Sequence, residues 1–188
     1  MTEVRDGKVS PLIPVMGEQA PAIAVGAGSV WSAFTTRPLQ SDYETPEGQA
    51  KLARIDPATK SISATIDLGE GSAFDVVANE DRVWVAVEIH DGPGRVVEID
   101  AASNRVVREI SLGTGATALA LGGSALWAGT GPAEGGGYRL VCIDPANGRT
   151  TGSIEVDGRI HALAALDSCE QNRRRRLSRL GRISGANR

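Results

Sequence analysis

The chain of 188 residues has the length of one ordinary domain, and 41% hydrophobic with 23% charged residues is the composition of a soluble globular protein, not of a disordered or fibrous one. Its net charge of −3 is unevenly spread: residues 167–188 hold seven arginines against Asp167 and Glu170, a net of +5, so residues 1–166 carry −8. An acidic body argues against nucleic-acid binding outside the Arg-rich tail, because phosphate contacts need a clustered basic surface, and no apolar run approaches the roughly 18 residues of a membrane-spanning helix.

In chain order, the start MTEVRDGKVS is too charged for a secretory signal. If that start is genuine the chain is expected in the cytoplasm; a longer relative with an upstream leader would be periplasmic or secreted. KVSPLIPVMG aligns with the later SISATIDLG, setting Ile13 opposite Ile66 and Val15 opposite Leu68. Residues 1–20 are therefore expected to carry the outer strand of a preceding partial unit. Three units follow, at 21–71, 72–115 and 116–158. Each has a tryptophan in a short apolar strand after a turn: GAGSVWSAF with Trp31, EDRVWVAVE with Trp84 and GGSALWAGT with Trp127. Each continues into LARIDPATK, VVEIDAASN or LVCIDPANG, with Asp56, Asp100 and Asp144 spaced by 44, and ends in a more polar strand.

Self-similarity at a period near 44 is the mark of a repeat architecture. In the middle unit, Val83, Val85 and Val87 alternate with Trp84 and Ala86 between turn residues, which predicts a strand with both faces buried. The four strands of that unit are expected at 73–78, 82–88, 95–99 and 105–112. A sheet buried on both faces and blunted by charge at its last strand fits a blade stacked between two others. The expected fold is all-β: a β-propeller fragment of four-stranded antiparallel blades, about three complete, with partial blades at both ends. RIHALAAL at 159–166 matches the inner strand of a further blade, but the turn and Trp strand that should follow are replaced by an Arg-rich tail at 167–188, expected to be disordered. Such a switch in composition is what a truncated or frameshifted coding sequence produces. The two cysteines, Cys142 and Cys169, are too few for a disulfide scaffold or a zinc site and are expected as reduced thiols.

The V-W-V-A-like strand, the I-D-P-A-T-like turn and the V-V-x-x-I-x-L-G-like outer strand, as in RVWVAV, IDPATK and RVVREISLG, resemble the YVTN-type β-propeller repeats over residues 8–166, and more loosely the streptogramin (virginiamycin B) lyase propellers. Trp stands where that pattern usually has Tyr, and the following Asn is missing. The resemblance implies a ring commonly of seven blades, of which this chain would be about half. Each terminal blade would then leave a sheet face of roughly 300 Å² without its neighbour. Self-association, or pairing with a missing half, is expected through those end blades.

Function in such a fold is expected at the variable loops of one face: TTRPLQSDYETPEGQ with Asp42, Tyr43 and Glu44; IHDGPG with Asp91; and TGPAEGGG with Glu134, followed by Tyr138. Glu88, His90 and Asp91, with His161, are the only grouping that could ligate a metal or do acid–base work, and the plainer account of them is as solvated loop residues. Asp56, Asp100 and Asp144 are expected as turn formers and the three tryptophans as packing residues. The preferred function is a non-catalytic binding or scaffold module with no cofactor, taking a small molecule or a protein. The alternative is a metal-dependent lyase, resembling the streptogramin lyases, which would use Glu88, His90 and His161 with a divalent metal such as Mg²⁺.

Overall fold

The structure is a computed structural model that describes residues 4–5, 8–9, 22–36, 48–89, 92–131 and 137–164. Expectations for residues 10–20, the loop residues Asp42, Tyr43, Glu44, His90, Asp91 and Glu134, and the tail at 167–188 lie outside the described residues. Within them every regular element is a strand. β1 (Val4–Arg5) and β2 (Lys8–Val9) form a two-stranded pair. Three four-stranded sheets follow, each a meander in chain order. The first holds β3 (Ala22–Gly26), β4 (Ser29–Thr36), β5 (Gln49–Asp56) and β6 (Ser61–Glu70). The second holds β7 (Ser72–Ala78), β8 (Arg82–Glu88), β9 (Arg95–Asp100) and β10 (Arg105–Ser111). The third holds β11 (Ala116–Gly122), β12 (Ala125–Thr130), β13 (Tyr138–Ile143) and β14 (Thr150–Val156).

The sheets stack face on face, and the repeat explains the order. Trp31 on β4 is fully buried, together with Ala33, Leu52 and Leu68, against Val76, Val83, Val85, Val97 and Ile99 of the second sheet. Alternation sends Trp84, Ala86 and Val96 to the other side of that second sheet, where they meet Leu119, Leu126, Val141 and Ile143 of the third. Trp127 repeats the outward direction and packs with Ala125, Cys142 and Leu163. Each tryptophan thus faces onward along the chain. The fourth strands, mostly exposed, meet water.

The turns from third to fourth strand share one construction. Asp56 Oδ1 accepts the backbone N–H of Ala58 at 2.7 Å, Asp100 Oδ1 that of Ser103 at 2.8 Å, and Asp144 Oδ1 that of Ala146 at 2.9 Å. Four residues after each aspartate the chain takes a positive φ, at Lys60 (55°), Asn104 (57°) and Gly148 (74°), and its N–H donates back to the aspartate carbonyl. The turn-forming account of the spaced aspartates is therefore what the geometry shows.

Lys8 and Val9 pair with Val4 and Arg5; the rest of the outer strand expected within residues 1–20 lies outside the described residues. Residues 159–164 form no strand. The expectation of two reduced thiols is also corrected: Cys142, 2% exposed, is disulfide-bonded. Counting cysteines along the chain says nothing of how near the fold brings them.

Candidate functional site

The alternating meander sends the connections to two faces. The first-to-second and third-to-fourth strand turns lie together on one, and the second-to-third strand loops share the other with the links between sheets. Glu88, the last residue of β8, stands on this loop face, half-buried. A Cβ placed on Gly115 would lie 2.5 Å from Glu88 Oε1, and one on Gly131 would lie 3.7 Å from it. The carboxylate therefore lies against bare backbone where the link into the third sheet meets the loop leaving β12. A side chain on Gly115 would push the flexible Glu88 carboxylate aside, and the Gly131 N–H donates to the Gly115 carbonyl at the same junction.

Tyr138, a half-buried residue at the start of β13, is paired with Val156. His161 is exposed in the unpaired segment after β14. Among the described residues no group of three or more His, Cys, Asp or Glu side chains could hold a metal ion. The structure thus brings Glu88 to an inter-sheet junction without assembling it and His161 into such a group. Glu88 could accept hydrogen bonds from a ligand seated over the Gly115 backbone.

Sequence reasoning passed over three charged residues. Asp75, on inner strand β7, accepts the N–H of Val76 at 2.8 Å and, across the sheet boundary, that of Leu119 on β11 at 2.7 Å. Burial raises its pKa above the ordinary carboxylate value against the pull of those two N–H groups. As the single charge in the apolar stretch SAFDVVA it was visible in the sequence. Glu98, 3% exposed, sits between Arg82 and Arg108, each with a guanidinium nitrogen 3.2 Å from one of its oxygens. Arg54 stacks 5.1 Å over the Trp31 ring, its cross-strand neighbour, and its Nε donates to Ser29 Oγ at 2.9 Å. With Gly28, Asp56, Ser63 and Asn104, these two line an open polar crevice of about 380 Å³ on the turn face. The neighbouring carboxylates are acidic: backbone N–H groups of Ala58 and Thr59 lower the pKa of Asp56, and the Ser103 hydroxyl and N–H, with Arg82, lower that of Asp100.

Three consecutive four-stranded meanders, stacked face on face with their first strands innermost, define a β-propeller module. Solved structures of similar fold agree. Kuenenia stuttgartiensis hydrazine synthase matches 80% of this chain over 40% of its own length, at TM-score 0.61 and 18% identity. The dihydro-heme d1 dehydrogenase NirN matches 82% over 33%, at 0.56 and 13%, and the Dos1 propeller 76% over 38%, at 0.53 and 13%. The chain spans less than half the length of these three structures, and identities this low carry the fold alone. No family model matches the sequence, and no curated protein does.

Proposed function

We propose that the chain is a non-catalytic binding or scaffold segment of a YVTN-like propeller, which presents its second-to-third strand loops to a partner and associates through its end blades. The observation that carries this reading is the difference between the two faces. On one, every third-to-fourth strand turn is held by an aspartate and by a positive-φ residue four positions after it. On the other, the strand ends are just as firmly paired, at Thr36 with Gln49, Val87 with Arg95 and Thr130 with Arg139, yet the loops between them differ in length and composition. A rigid frame carrying divergent loops is the arrangement in which binding residues are varied without disturbing the fold.

The lyase alternative draws its support from Glu88, whose carboxylate stands at the loop-face junction over Gly115. Calorimetric titration of Mg²⁺ into the full chain separates the two. The binding-module reading expects no saturable heat. Saturable Mg²⁺ binding that is abolished by Glu88→Gln, and again by His90→Ala or His161→Ala, would replace it with the metal-dependent reading.

A further inference from the structure

The turn aspartates of the three blades use their second carboxylate oxygens differently. In the second blade Arg82, two residues before Trp84, brings Nη1 to Asp100 Oδ2 and Nε to within 3.2 Å of Glu98 Oε1. In the third, Asn147 Nδ2 donates to Asp144 Oδ2 at 2.6 Å. In the first, the residue two before Trp31 is Ser29, which meets Arg54 and not the turn. Among the described residues no cation or side-chain amide is bonded to Asp56 Oδ2, while Oδ1 takes the Ala58 and Thr59 N–H groups.

The arginines divide in the same way. Arg82, Arg95 and Arg108 each stand beside a carboxylate. Half-buried Arg54 has neutral acceptors only: Ser29 Oγ for Nε, and the Ala101 carbonyl at 2.8 Å and Asn104 Oδ1 at 3.1 Å for Nη1. Those bonds and the Trp31 ring under its plane fix the guanidinium, and Nη2 makes no hydrogen bond among the described residues. Asn104 accepts through Oδ1, so its Nδ2 is a second donor. Ser63 Oγ donates to the Arg54 carbonyl at 3.2 Å and keeps its lone pairs as acceptors. All four residues line the crevice of about 380 Å³ on the turn face.

A guanidinium without a carboxylate favours an anion. Asp56 is ionised at neutral pH, its pKa lowered by the Ala58 and Thr59 N–H groups, and it opposes a bare anion as Arg54 opposes a bare cation. A ligand that suits both carries opposite charges a few atoms apart. We propose that this crevice binds a free α-amino acid, its carboxylate on Arg54 Nη2 and Asn104 Nδ2 and its ammonium on Asp56 Oδ2 and Ser63 Oγ. The ammonium takes the part that the Arg82 guanidinium plays for Asp100 in the second blade. Gly28, Ser29 and Ser63 leave room for a small or polar ligand side chain. The site lies on the face opposite the second-to-third strand loops and is independent of what those loops bind.

Glycine, the smallest molecule with both groups, is the probe, titrated at neutral pH into the full isotope-labelled chain and followed by NMR. Saturable shifts of the Arg54 Nε–H and Trp31 indole N–H signals are expected, with a dissociation constant of about 1 mM for so open a site. Acetate and methylammonium, each with one of the two charges, are expected to bind at least tenfold more weakly. Asp56→Asn keeps an Oδ1 acceptor for the turn and removes the charge. In that variant glycine binding is expected to weaken at least tenfold and acetate binding to become tighter than in wild type. No saturation by glycine up to about 50 mM would overturn the proposal. So would acetate binding wild type as tightly as glycine does, or a glycine constant unchanged in Asp56→Asn.

Discussion

Carboxylates of the same type act in opposite directions at the scale of single residues. Asp56, Asp67 and Asp100 accept backbone N–H groups and stand near cations, so folding lowers their pKa values below 3.8. The unfolded chain then binds more protons than the folded one; their stabilisation is present above pH 3.8 and is lost as pH falls through the folded values. Asp75 is the reverse case. Burial raises its folded pKa, so the folded chain holds the extra proton and stability declines as pH rises from 3.8 through the folded value. Asp75→Asn removes that decline but leaves an N–H of Val76 or Leu119 without its acceptor, a loss of about 1–3 kcal/mol. In urea unfolding, the excess stability of wild type over the variant is expected to be smaller at pH 7 than at pH 4. An equal or wider gap at pH 7 would show that burial does not govern Asp75.

For whole elements, legibility followed periodicity. In the second blade all four strands fall within one residue of where alternation and turn residues put them, because a sheet buried on both faces writes its period plainly. What periodicity cannot carry is pairing. Residues 159–164 have inner-strand chemistry and no strand. Candidate site residues were legible as types but not as groups, since the distance between Glu88 and its neighbours depends on how two sheets meet at Gly115. The tryptophans show what equal sequence positions are worth when their neighbours differ. Trp31 and Trp84, 0% and 1% exposed, each fill the space between two sheets, whereas Trp127, 8% exposed, packs partly on the unpaired segment through Leu163. Truncation to alanine is expected to cost about 3–5 kcal/mol at Trp31 and Trp84 and distinctly less at Trp127, where the covering segment can settle into the cavity. Denaturant midpoints of the three variants check the order.

For the three blades together, the proposed association turns on the outward sheet faces of the first and the third. At about 25 cal/mol per Å², covering one face of roughly 300 Å² contributes at most about 7 kcal/mol, within the range of about 4–15 kcal/mol that association itself costs. One open face therefore supports only weak pairing, and two support about twice the gain. On inner strand β3 of the first blade, Ile23 and Val25 stand 48% and 74% exposed, in the position where a preceding blade would pack. On the third blade, residues 159–164 run over the outward face, with Leu163 packed beside Trp127, so the β3 face is the contact to test. The chain should be monomeric at micromolar concentration and associate reversibly as concentration rises. Light scattering after size-exclusion chromatography reads both states, and Ile23→Lys with Val25→Lys should hold the chain monomeric throughout. If the double variant associates as wild type does, the β3 face is not the contact; a wild-type chain monomeric at every concentration would remove end-blade association altogether.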